Sequence, residues 1–234
     1  NYGHDRMETN LSRQESIIDK QNIIVGLNLG ANKLTEDKIQ DYIIGLQRFH
    51  VRNEIKYFVI NISSPNTPNL RNLEGKDQLN KLLDRVLRVK KELEQKNQLH
   101  KPLLVKFSPD LNDEQINDIG KIMLKYSNET QTHGQIDGMI ISNTTITRPA
   151  DLKSPARLVK EEGGLSGPPL QKLSTEMIRK MYRLTNGSIP IIGVGGIETG
   201  LDAYEKIKAG ASMVQLYTSM IYFVRIFFRE NICP

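Results

Sequence analysis

Tyr57-Phe58-Val59-Ile60-Asn61-Ile62-Ser63-Ser64-Pro65-Asn66-Thr67 joins an apolar run to a cluster of amides and hydroxyls. The run reads as a buried strand, and Pro65 cannot extend a central strand because it lacks the N–H that a ladder needs. The polar cluster therefore sits at the strand's C-terminal end. In parallel α/β architectures ligands bind there, since the loops at that end carry little core packing and turn their polar groups toward one mouth.

Five more β-branched runs recur along the chain, making six in all: Ile23–Leu29, Tyr57–Asn61, Leu103–Phe107, Met139–Ser142, Pro190–Gly193 and Met213–Tyr217. Between them the apolar spacing is helical, as in Leu79, Leu82, Leu83, Val86 and Leu87, or Ile116, Ile119, Ile122 and Met123. Asn112 or Asp113 is placed to cap the second of these helices. Strand, helix and strand in repetition imply parallel pairing, because a parallel connection needs a long crossover.

Nearly every run ends in a residue with chemistry: Asn28, Asn61, Lys106, Asn143, Gly195 with Gly196, and Tyr217 with Thr218. An open doubly wound sheet needs such residues only near its switch point, whereas a closed barrel converges them all on one axis. The expected fold is therefore α/β, a TIM (β/α) barrel. It is an incomplete one, with about six of the usual eight strands. Either two strands lie upstream of Asn1, which is not an initiator Met, or the barrel is open along one side with exposed strand edges. The chain is read as a single barrel domain over 1–234, with no structure assigned to 1–22 or 220–234.

The 234 residues supply enough Val, Ile and Leu for one core. No apolar run is long enough to span a bilayer, and no signal-like start is visible. The lone Cys233 cannot form an intrachain disulfide, which suits a reducing compartment. A pI near 9.2 raises nucleic-acid binding. Acids alternate with the basic residues, however, as from Lys81 to Lys96, in the manner of a solvated helix face, so no nucleic-acid partner is expected. His4, His50, His100 and His133 are scattered, so no metal is expected. No Ser-His-Asp triad assembles.

Ile191-Ile192-Gly193-Val194-Gly195-Gly196 follows a strand and precedes a helix, but Glu198 stands where a dinucleotide fingerprint has its third glycine. The glycines either make tight turns or expose backbone N–H groups as a phosphate cradle with Gly167, Tyr217 and Thr218. Lys106, a cation at a strand end, either stabilises an anion in the mouth or closes an internal salt bridge. On their own, Ser63 and Ser64 read as turn residues. Asn61, Asn66 and Asn143 each offer donor and acceptor, matching a ring with alternating polar groups such as a pyrimidine.

Seven motifs in order resemble class 2, quinone-using, dihydroorotate dehydrogenase. They are Gly26–Gly30, Asn61–Asn66, Leu104–Asp110, Ser142–Thr145, Gly163–Gly167, Gly193–Gly196 and Val214–Thr218, and the match runs from about Gly26 to Ser219. The resemblance implies an FMN-containing flavoprotein, an oxidoreductase that converts dihydroorotate to orotate in pyrimidine (UMP) biosynthesis. It further implies ubiquinone as electron acceptor and a place at the mitochondrial inner membrane. By the same carry-over Ser64 is the catalytic base, taking a proton from C5 while hydride passes from C6 to flavin N5, and Lys106 stands beside the flavin. Asn28, Asn61, Ser142, Gly167, Gly195, Gly196, Tyr217 and Thr218 would hold FMN; Asn61, Asn66, Asn143 and Thr144 would hold the orotate ring. Ser142 replaces the family's usual threonine and keeps the hydroxyl.

Three departures stand out. The family's first two strands, with an FMN-contacting loop and a substrate lysine, have no counterpart, and neither has its N-terminal quinone-binding helical domain. Its Asn-Arg-x-Gly-Phe loop is matched only by Asn1-Tyr2-Gly3-His4-Asp5. After Thr218 an apolar tail, Ile221 to Phe228, replaces a Gly-Pro-Pro turn and closing helix, which suggests a truncated or mis-spliced product. The alternatives are another FMN barrel acting on a pyrimidine, or an inactive remnant without a complete FMN site.

Overall fold

Each of the six apolar runs forms a strand. The computed structural model describes residues 3–222, and its elements run α1 (Gly3–Lys20), β1 (Val25–Gly30), α2 (Lys38–Phe49), β2 (Ile55–Asn61), α3 (Lys76–Asn97), β3 (Leu103–Phe107), α4 (Asp113–Tyr126), β4 (Gly138–Ile141), α5 (Ala156–Val159), α6 (Gln171–Leu184), β5 (Ile191–Val194), α7 (Gly200–Ala209) and β6 (Met213–Gln215). Two 3-10 turns, Leu70–Glu74 and Pro168–Leu170, lead into α3 and α6. All neighbouring strands pair in parallel, in the order β1-β2-β3-β4-β5-β6. Among the described residues β1 and β6 do not meet, so the sheet is an arc: an incomplete (β/α) barrel.

Two faces follow from the period of two along each strand. Phe58, Ile60, Val105, Phe107, Met139 and Ile141 point outward into the main core, where they meet the apolar stripes of α3 and α4. Alternate residues point inward, and there Val59, Leu104 and Ile140 form a second, smaller cluster backed by Tyr57, Ile192 and Val194. Burial on both faces explains why the strands read as continuous hydrophobic runs. The inner cluster thins at both margins of the arc, where Asn28 and Met213 are exposed. On β1 the Tyr57 ring packs over Gly26, where a Cβ would lie 2.0 Å from it and force the ring to move.

Helix ends obey the sequence. Asn112 caps α4 in a reciprocal box with Gln115, and Thr199 does the same for α7 with Asp202. One segment left open by the sequence gains a structure, and one expectation needs correction. Residues 3–20, assigned no structure, form a helix that buries Leu11 and Ile18 and ties Glu8 to Arg48 on α2. The spacing of Met7, Leu11 and Ile18 was the available signal. The run from Lys81 to Lys96 is not wholly a solvated face: Lys90 is buried, 2.9 Å from Glu94 and 3.3 Å from Asp137. Of the tail, 218–222 continue as helix; the remainder, with Cys233, lies outside the described residues. Among the described residues no helix is long and apolar enough to cross a membrane.

His50, at the end of α2, is buried and stacked on Phe58. Its Nδ1 faces the Asn97 amide at 3.0 Å, and its Nε2 has no partner among the described residues. Burial, and then the nearby Lys101 charge, hold its pKa below the ordinary histidine value. A lowered pKa means that the unfolded chain binds the proton more tightly. The contribution of neutral His50 is therefore complete above the unfolded pKa of about 6.5 and is lost as pH falls through and below it. Urea midpoints measured between pH 7.5 and 5.5 should drop more in the wild type than in His50→Gln; parallel slopes would contradict this assignment.

Candidate active site

Asn61 and Lys106 are neighbours in register at the ends of β2 and β3, both on the inner face. Past β2 the chain turns through Ser63, whose Oγ donates to the Lys106 carbonyl at 2.7 Å. Asn143, just past β4, donates from Nδ2 to Asn61 Oδ1 and to Ser63 Oγ, each at 3.1 Å. Its own Oδ1 accepts from the Thr144 backbone N–H at 2.8 Å, which sets the orientation of the amide. Three strand ends are thus joined through one network of side-chain hydrogen bonds. Ser63, read from sequence as a turn residue, is fully buried at the centre of this network.

Arg71 sits above it. The guanidinium donates to the Ser63 carbonyl at 3.1 Å, to Asp110 Oδ2 at 2.7 Å and to the Thr144 carbonyl at 3.0 Å. Asp110 in turn accepts from the Ile146 N–H at 3.0 Å and from the Thr145 hydroxyl. One ion pair therefore grips the loops after β2, β3 and β4. Beneath it Glu74 accepts from the Ser108 N–H at 2.6 Å, and burial pushes its carboxyl up to about 7. Sequence reasoning missed Arg71 and Glu74 altogether; the only signal was a pair of charged residues close behind a Pro-rich turn. It also missed Arg148, whose guanidinium donates to backbone carbonyls that include Val159, Glu161 and Gly163. Those bonds gather the long excursion between β4 and α6.

Beside the amide network lies a hollow of about 250 Å³, lined by Lys106, Ser142, Asn143, Thr144 and Gly167, then by 194–198 and 215–219. Gly167, Gly195 and Gly196 have φ of +83°, +110° and +69°, a region that L side chains avoid. A Cβ on Gly196 would stand 2.5 Å from the Gln171 backbone nitrogen, so the cradle lies directly on the first turn of α6. The buried Ser219 Oγ has no partner among the described residues. No carboxylate pairs with Lys106 among them either, and burial alone lowers its pKa. An unpaired cation and unshielded amides around one hollow are what an anionic ligand needs.

Nine of the expected residues line this hollow: Lys106, Ser142, Asn143, Thr144, Gly167, Gly195, Gly196, Tyr217 and Thr218. Asn61 joins through its bond to Asn143. Ser64 does not line it; its Oγ accepts from the Asn66 N–H at 3.3 Å, at the turn above. Pro65 and Asn66 of that turn approach Gly163 and Gly164, and Thr144 packs so closely that a Cβ on Gly164 would meet its hydroxyl at 1.8 Å. Asn28 stands apart. It shares the inner face but borders a separate hollow along the free edge of β1, with Gly30 and Asn32.

The family model described as dihydroorotate dehydrogenase matches residues 1–233. The chain is 46% identical over 199 residues to the mitochondrial dihydroorotate dehydrogenase (quinone) of Oryza sativa subsp. japonica, covering 85% of this chain and 40% of that one. It is 45% identical over 222 residues to the dihydroorotate dehydrogenase (quinone) of Brucella anthropi, covering 95% and 57%. A crystal structure of ligand-free DHODH from Eimeria tenella superposes with a TM-score of 0.77 at 41% identity, over 88% of this chain and 57% of that one. The same protein in complex with ferulenol gives 0.75 at 39% identity, over 89% and 56%. The chain thus spans about half the length of the relatives it matches.

Removing one partner of a largely buried ion pair costs about 3–5 kcal/mol when the other is left uncompensated. Arg71→Met should therefore raise amide hydrogen exchange in 62–67 and 144–147 together, with little change in α4. Faster exchange in only one of the two segments would show that Arg71 does not couple them.

Proposed function

The chain belongs to the dihydroorotate dehydrogenase family, and on that premise we propose that it serves the FMN-dependent oxidation of dihydroorotate to orotate with a quinone as acceptor. The observation that carries the reading is the side-by-side placement of an anion hollow and an amide cluster at the ends of adjacent parallel strands. FMN has one end of each kind, a phosphate and a planar ring with alternating polar atoms.

The residues present fit that group on an observation independent of family. Three glycines of positive φ line the hollow, and Lys106 beside them has no carboxylate partner among the described residues. Gly167, Gly195, Gly196 and Thr218 would hold the phosphate through backbone N–H groups and hydroxyls, with Tyr217 at the rim. Lys106, Asn61 and Ser142 would meet the ring, whereas Asn28 borders a separate hollow and is not among the groups around this one. When bound, FMN supplies a two-electron acceptor beside the substrate.

The chain's own groups then have separable tasks. Asn61, Asn66, Asn143 and Thr144 would orient the orotate ring with amide and hydroxyl groups, the Asn143 amide being turned by the Thr144 N–H and exchanging its present bonds to Asn61 and Ser63 for bonds to the ring. Lys106 favours negative charge developing near it, and its burial strengthens that effect. Ser64 Oγ receives the proton from C5. A hydroxyl is a weak base, so as the C5–H bond breaks the half-buried Ser64 would pass its own hydroxyl proton to solvent while its oxygen takes the substrate's, and the side chain ends neutral. The Arg71 clamp holds the Ser63–Asn66 turn against Thr144 and so sets the distance between base and ring site. By family, ubiquinone would accept the electrons from bound FMN, and the protein would work at the mitochondrial inner membrane.

The purified chain reconstituted with FMN should show a flavin spectrum in the visible with a protein-perturbed band shape. A colourless protein after gel filtration would sink the cofactor reading. In a chain that turns over dihydroorotate, Ser64→Ala should lower kcat by at least about a hundredfold with FMN retained. Unchanged turnover would remove Ser64 as the base.

A further inference from the structure

Lys206 is fully buried on α7, and the proposed activity makes no use of it. Its ammonium donates to the Gln171 carbonyl at 3.4 Å, Ser174 Oγ at 3.2 Å and Thr175 Oγ1 at 3.1 Å. All three acceptors are neutral, and all belong to the first turns of α6. No ion pair to Lys206 forms among the described residues; Asp202, on its own helix, is the one charged group acting on it. Burial pulls its pKa down to about 8. A cation held this way is costly unless a negative charge nearby offsets the burial.

The partners of Lys206 are also the supports of the glycine cradle. Ser174 Oγ donates to the carbonyl of Val194, the residue before Gly195, at 2.6 Å. Gly196 lies so close to the Gln171 backbone that a Cβ would stand 2.5 Å from its nitrogen, while Gly195 packs on the Leu170 side chain with Ser174 Cβ in ordinary contact. The lysine stem passes behind β5, 3.2 Å from the place of a Cβ on Gly193. The hollow thus has one lysine at its mouth, Lys106, and a second charge behind its wall, one layer of backbone away.

We propose that Lys206 is a positioning residue for the anion hollow. Its buried positive charge both braces the first turn of α6 against Gly195–Gly196 and draws the phosphate of the flavin cofactor through that wall. The inference rests on the FMN reading above and adds a residue that does not touch the ligand. A charge acting through low-dielectric packing is screened less than one in water, which gives a wholly buried ammonium reach across the wall. Because binding and ionisation are linked, an anion in the hollow must also raise the proton affinity of Lys206.

Riboflavin, which lacks the phosphate, separates charge from shape. Lys206→Met should weaken FMN binding about tenfold or more and leave riboflavin binding within about twofold. Equal losses for both ligands, or none for FMN, would overturn the proposal, and in the first case Lys206 would be a packing residue only. A second measurement works on the unaltered chain, so a misfolded variant cannot hide the answer. The Lys206 side-chain resonance of lysine-labelled protein, assigned by its loss in Lys206→Arg, should titrate near pH 8 and move upward in saturating inorganic phosphate. A midpoint indifferent to phosphate would refute the coupling even if FMN binds. A wild-type chain that takes up neither FMN nor phosphate overturns the cofactor reading, and this proposal with it.

Discussion

The Arg71–Asp110 ion pair is where independent parts of the chain become one site. Strand pairing brings the ends of β2, β3 and β4 to the same level, but each end continues into a loop with its own freedom. Arg71 removes that freedom by offering its planar fork to a carboxylate and to the carbonyls of Ser63 and Thr144 at once. A lysine at the same position would present one compact ammonium and could not span the three directions. The amide network of Asn61, Ser63 and Asn143 lies within the frame that this pair closes.

Around that frame the charges are distributed in an unusual way. Lys90, near the N-terminal ends of the strands, is paired with Glu94 and Asp137. Lys106 and Lys206, near the C-terminal ends, have no carboxylate partner among the described residues. Lys101, just before β3, is buried as well, and its ammonium donates to the Arg52 carbonyl with no ion pair among the described residues. A buried lysine without a carboxylate therefore marks a ligand site only where it adjoins a hollow, as Lys106 does.

Much of the fold was legible because parallel strands buried on both faces produce apolar runs that stand out from helical spacing. All six runs became strands, the stripes of α3 and α4 are buried as their periodicity implied, and Asn112 caps α4. The glycine pair and Lys106 were also readable, since positive φ and a cation at a strand end are local signals. What escaped was non-local. Ser63 looks like any turn serine until Asn143, 80 residues later, donates to it. Arg71 and Glu74 look like surface charges until the loops after β3 and β4 close over them. Lys206 sits in an ordinary helix beside acids and bases, and nothing near it in the chain reports that β5 and α6 will bury it.

The residues alone thus determined the parallel α/β arrangement, the incomplete barrel and the polar strand ends, because each follows from spacing within a few turns of chain. The family resemblance rested on those same short motifs. Tertiary structure alone decided which polar groups are paired and which are left for a ligand, that Asn28 lies apart from the hollow, and that Ser64 stands at the turn above it. Pairing and burial depend on distances between segments far apart in the chain, and those distances exist only once the strands have been laid side by side.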